Sequence, residues 1–103
     1  MPLTRKNSTN RSLFRVGCVV TTPGALRLFE STHLTAMDFV LKHQSGDWGD
    51  LCESDIRANH SAITHHERVL SRYSIVLEVG RRDIYVITEW DRSFTTVLLV
   101  EEY

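Results

Sequence analysis

A chain of 103 residues, 42% hydrophobic and 24% charged, can bury one core and is too short for two domains of ordinary size. No apolar run approaches the roughly 20 residues that span a bilayer and no signal-peptide pattern opens the chain, which together predict a cytoplasmic protein with no membrane partner. The formal net charge of -1 hides an asymmetry. Arg5, Lys6, Arg11 and Arg15 give the first fifteen residues a charge of +4 with no acid, leaving eight basic against thirteen acidic residues in the body. Non-specific affinity for nucleic acid comes mainly from clustered Lys and Arg, so direct duplex binding by this body is disfavoured.

Residues 1–12 are polar, contain Pro2 and lack periodicity; they predict a disordered basic tail ahead of a single domain over 13–103. Residues 13–21 read as a short strand that ends at a breaker. Thr22 is placed to cap a short helix with Pro23 at its first position, where the missing N–H costs nothing. Thr35 with Asp38 forms a variant capping box for a second helix, and Leu34 with Phe39 a hydrophobic staple. That helix runs toward His43 and ends at Ser45 and Gly46. Asp50 with Glu53 marks a third helix from near Leu51, along which Ile56, Ile63 and Leu70 recur every seven residues. Three alternating strands follow, over 73–79, 84–89 and 94–100, joined by polar turns at 80–83 and 90–93. The expected fold is α+β: an N-terminal strand and two to three helices, then a three-stranded antiparallel meander.

The chemistry is less determinate. Cys18 and Cys52 are too few and too distant for a zinc knuckle or a C-x-x-C pair, and read as reduced, buried or half-buried thiols. The five histidines lack the three- or four-residue spacings of a helical metal site, so neither metal nor cofactor is expected. His43 stands at a helix end, where the dipole favours imidazolium. Trp48, set between glycines and aspartates in GDWGD, reads as a core plug, with Asp47 and Asp50 as candidate contacts. Glu89, Trp90, Asp91 and Arg92 form a charged hairpin around one exposed aromatic, the pattern of an interface hot spot. Antiparallel pairing across it predicts Glu89 opposite Thr95 and Thr96. His43 or His66 with Glu89, Arg92 and Thr96 would also furnish the base and cation of metal-independent RNA cleavage, provided they converge.

From His43 onward, H-x-x-G-D-W-G-D, D-x-x-x-N, S-x-Y and I-T-E-x-D-R-S-x-T-T-V-L-L-x-E-E-Y resemble a family of small uncharacterised proteins carried by bacterial plasmids, phages and integrative elements. The matching positions include His43, Trp48, Asn59, Ser71, Tyr73, Glu89, Arg92, Thr95 and Tyr103. The resemblance implies a mobile-element setting and no particular activity. Two functions are consistent with these readings. One is a non-enzymatic accessory protein that binds a host protein or ribonucleoprotein, for instance to inhibit a defence system such as CRISPR. The other is a small ribonuclease of RelE- or barnase-like topology, against which the acidic body counts.

Overall fold

The structure, a computed structural model, describes residues 11–103. The expectation for the tail over 1–12 therefore lies outside the described residues, apart from Arg11 and Ser12. Three helices and a four-stranded mixed sheet follow one another as β1 (Cys18–Thr21), α1 (Pro23–Glu30), α2 (Ala36–Gln44), α3 (Glu53–His65), β2 (Val69–Leu77), β3 (Gly80–Thr88) and β4 (Phe94–Leu99), with a final 3-10 turn at Val100–Glu102. The chain is α+β as its pattern predicted, and the β2–β3–β4 meander is antiparallel. The meander is not the whole sheet. β1 adds to β4 in parallel, Val19 beside Thr95, giving the order β1-β4-β3-β2.

The helix starts follow local chemistry. The Thr22 hydroxyl accepts from the Ala25 N–H, with Pro23 opening α1. Thr35 and Asp38 close a reciprocal capping box on α2. The start of α3 departs from expectation: Cys52 is its N-cap, without a side-chain cap bond, and the Asp50 N–H instead donates to the Arg72 carbonyl. The seven-residue repeat misleads at its last member, since α3 ends at His65 and Leu70 lies in β2. The first hairpin is also tighter than expected. Leu77 pairs with Gly80, so only Glu78 and Val79 form the turn, and residues 80–83 belong to β3.

Side chains alternate across the sheet. One face carries Tyr73, Ile75, Ile84, Val86, Val97 and Leu99, which pack with Ala25, Leu28, Phe29, Phe39 and Val40 of the helices. The other face carries Cys18, Val20, Phe94, Thr96, Leu98, Tyr85 and Ile87; Ile87 and Leu98 are buried there and Tyr103 stacks on Tyr85, while Cys18, Val20 and Phe94 are exposed. Both cysteines are free and exposed, contrary to the buried reading: Cys18 lies at the β1 edge of this second face and Cys52 ahead of the first turn of α3.

Trp48 is 5% exposed and packs with Ala62 and Val69, as its place among turn residues predicted. Its backbone is anchored as well. Arg72 N–H donates to the Trp48 carbonyl, and Gly49 bridges to Arg72 at a φ of 73°, where an added Cβ would stand 2.0 Å from the Arg72 carbonyl oxygen. Trp48→Ala should therefore cost about 3–5 kcal/mol in urea unfolding, the range for a buried aromatic; a variant that melts with the parent would show that the indole carries no packing energy.

Candidate functional site

Two polar assemblies lie at the Trp90 end of the sheet, one buried and one at the surface. The buried one begins at His43, which is fully buried and stacked edge-on to Phe14 and Trp48. Its Nδ1 lies 2.6 Å from Ser71 Oγ and its Nε2 lies 2.9 Å from Thr88 Oγ1. Thr88 Oγ1 lies 2.6 Å from Thr95 Oγ1, and the Thr95 hydroxyl donates to the Val16 carbonyl at 2.7 Å. For a neutral ring the protons have one arrangement. A carbonyl only accepts, so the Thr95 proton points to Val16, the Thr88 proton to Thr95, the His43 Nε2–H to Thr88, and the Ser71 hydroxyl donates to Nδ1. Nε2 therefore carries a proton, and because burial disfavours the charged ring, Nδ1 is the unprotonated nitrogen of a neutral imidazole.

Burial, assisted by the Arg92 charge, lowers the His43 pKa from an ordinary 6.5 to about 3. This corrects the expectation of a helix-end imidazolium. The last turn of α2 does hold Lys42 and His43, but His43 faces the sheet. The sign of the consequence is fixed. The unfolded chain takes up a proton that the folded chain refuses, so the stabilisation is complete above pH 6.5 and is lost progressively as pH falls toward 3.

The surface assembly is the hairpin between β3 and β4. Its register differs by one residue from the expected pairing: Glu89 N–H donates to the Phe94 carbonyl, so Thr88 and not Glu89 stands opposite Thr95, and Thr96 pairs with Ile87 on the face away from the helices' core. A one-residue slip exchanges faces. Thr88 and Thr95 therefore point inward to His43, whereas Glu89 and Thr96 point outward.

Arg92 ties the hairpin to the helix layer. It adopts a φ of 60°, and its guanidinium donates to the carbonyls of Glu67 at 2.6 Å, Ala62 at 3.0 Å and Glu89 at 3.0 Å while lying over the Phe14 ring. These carbonyls belong to the end of α3 and to the hairpin itself, so the guanidinium closes a helix C-terminus. Asp91 locks the turn by accepting from the N–H and hydroxyl of Ser93, which holds its carboxyl below the usual range. Gly17 seats the incoming chain against this loop at a φ of 65°; a Cβ there would lie 2.4 Å from the carbonyl oxygens of Arg92 and Ser93. Trp90 is left 64% exposed at the tip.

The groups required for RNA cleavage are not brought together. Phe14 contacts both His43 and Arg92, His43 has no solvent exposure, and Glu89 and Thr96 lie on the other face of the sheet. His66 is exposed as the left-handed C-cap of α3, an orientation set by its backbone at a φ of 57°. Asp50 sits apart from the hairpin, its N–H on the Arg72 carbonyl at the β2 edge, and Asp47 lies between Lys42 and Tyr73, whose hydroxyl donates to its carbonyl. Among the described residues no cluster of three or more His, Cys, Asp or Glu is placed to hold a metal ion. Sequence reasoning missed Phe14 and Thr88 as site members; the period-two alternation of β3 did place Thr88 on one face with Ile84 and Val86. Comparison with family models, with curated proteins and with solved structures returns no match.

The buried assembly makes a direct prediction. Between pH 6.5 and 5 the unfolding free energy should fall by up to about 1.4 kcal/mol per pH unit from His43. Asp83, held low by its bond to Arg72, and Glu102, held low by Thr22, titrate below this window. Urea unfolding at half-unit pH steps measures the slope, and His43→Gln should flatten it; an unchanged slope in the variant would assign the proton uptake elsewhere.

Proposed function

We propose that this chain is a non-enzymatic accessory protein of a mobile genetic element, which binds a host protein or ribonucleoprotein through the Trp90 hairpin and inhibits a defence system such as CRISPR. The observation that carries this reading is the exposure of Trp90 on a loop whose other members are already fixed. Asp91 and Ser93 are bonded to each other and Arg92 to three backbone segments, so the indole is presented with little ordering left to perform on binding. Buried tryptophans dominate many interfaces, and an exposed one on a preordered loop is suited to that role. Phe94 and Val20, 40% and 45% exposed, extend the apolar surface onto the adjoining β1–β4 edge of the sheet. The acidic body favours partners with basic grooves, including those that hold nucleic acid. The mobile-element setting comes from the motif resemblance.

Two assays test the reading. In bacteria whose CRISPR effector rejects a targeted plasmid, expression of the parent chain should restore transformation. Trp90→Ala should lose roughly thirtyfold of partner affinity, the scale of one hot spot, and should melt with the parent. Labelled total RNA incubated without metal should stay intact with the parent and with Glu89→Gln. Metal-independent cleavage by the parent that disappears in the variant would refute the binder reading and restore the ribonuclease.

A further inference from the structure

The outer row of hydrogen-bonding groups on β2 is filled at one end and open at the other. Groups on an edge strand point alternately toward the sheet and away from it. Leu70 and Arg72 point away, as their bonds show. The Asn59 side-chain amide takes both groups of Leu70, donating to its carbonyl at 2.6 Å and accepting from its N–H at 3.0 Å. Residues 48–50 take both groups of Arg72, at 3.1 and 2.6 Å. Ser74 and Val76 are next in the same alternation, and among the described residues they have no such partner.

Three features around Ser74 and Val76 describe what would fill the row. An open groove of about 670 Å³ runs beside it, between residues 31–34 and 75–79. Val76 and Val79 are 81% and 95% exposed, on an edge that soluble proteins ordinarily blunt with Lys, Pro or a bulge. Carboxylates stand at both ends: Asp50 in the row beside Arg72, and Glu78 in the turn, neither in an ion pair among the described residues.

We propose that the edge at Ser74 and Val76 accepts an extended peptide segment of a partner protein as a fifth strand, apolar at its centre and flanked by Lys or Arg. Backbone pairing supplies the attachment, the groove and Val76 receive alternate side chains, and the carboxylates select the flanks. A second copy of this chain does not fit the row through its own β2. Two-fold pairing about residue 75 would set residue 78 of the copy, in its turn, opposite Arg72, in the place that Gly49 holds. This edge lies apart from the Trp90 hairpin, so its test is independent of the function proposed above.

The test is NMR of the ¹⁵N-labelled full chain titrated with a blocked hexapeptide, Lys-Thr-Val-Ile-Val-Lys, with a Glu-flanked counterpart and with a counterpart N-methylated at its three central residues. The Lys-flanked peptide should shift the amides of Ser74 and Val76 and slow their hydrogen exchange at least tenfold. The Glu-flanked peptide should bind roughly fivefold more weakly, the scale of one exposed ion pair, and the N-methylated one should not bind. Asp50→Lys with Glu78→Lys should reverse the preference between flanks. Val76→Pro removes an outward N–H without taking a bond from β3, and should abolish the response while the fold melts as before; the N-methylated peptide tests the same point on the parent if that variant is unstable. Silence at Ser74 and Val76, equal binding of the N-methylated peptide, or shifts that follow protein concentration without peptide would each overturn the proposal, the last by assigning the edge to a second copy.

Discussion

The fold depends on how one imidazole is satisfied. His43 is the only ionisable side chain among the fully buried of the described residues, and it bonds at once to β2 through Ser71 and to β3 through Thr88. Thr88 passes the connection to Thr95 of β4, and Thr95 to the backbone at Val16 ahead of β1. One chain of hydrogen bonds therefore fixes the lateral register of the meander, the seat of α2 and the path of the incoming segment. A hydrogen-bonded network of this kind is stabilising only when complete, because an unpaired member bears the full cost of its desolvation. Among the described residues no buried side-chain nitrogen or oxygen lacks a partner.

The same constraint explains why the hairpin is available for contact. With Thr88 and Thr95 committed inward, the register places Glu89, Phe94 and Thr96 outward and leaves residues 90–93 as the loop. Arg92 then spends its donors on backbone carbonyls and none on a carboxylate, since its neighbours there are the end of α3 and the hairpin. Of the residues that cluster in this part of the sequence, Asp91 and Arg92 have their side-chain bonds committed within the loop and its supports, and Trp90 stands exposed beside them. At the far edge, Asn59 and residues 48–50 act on β2 as surrogate strands and stop before Ser74. Positions scattered through the motif blocks, among them His43, Asn59, Ser71, Thr95 and Arg92, thus serve a common structural purpose: they close hydrogen bonds between elements.

What was legible in the sequence was local. The caps at Thr22 and Thr35 need only residues within three positions of each other, and both stand as read. Trp48 announced itself as the one large apolar side chain in a polar turn. The illegible parts depend on distance. The partners of His43 lie 28 and 45 residues away, so its helix-end position suggested a charged role that burial forbids. The parallel addition of β1 to β4 joins residues some 76 positions apart, as with Cys18 and Phe94, and no turn signals it. The hairpin register turned on Arg92 entering the left-handed region, which a non-glycine residue does here because its side chain is held at four carbonyls. Leu70 continued a helical period by coincidence, since α3 had already closed on Ala62.

The central claim is that His43 is neutral, carries its proton on Nε2 and organises the sheet in that form. Imidazole ¹⁵N chemical shifts of the folded chain, followed from pH 7.5 down to 4, read this directly. The account predicts a protonated Nε2 and an unprotonated, hydrogen-bonded Nδ1 throughout, with titration only as the fold is lost. A His43 ring that titrates near pH 6.5 in the folded protein, or that carries its proton on Nδ1, would contradict it.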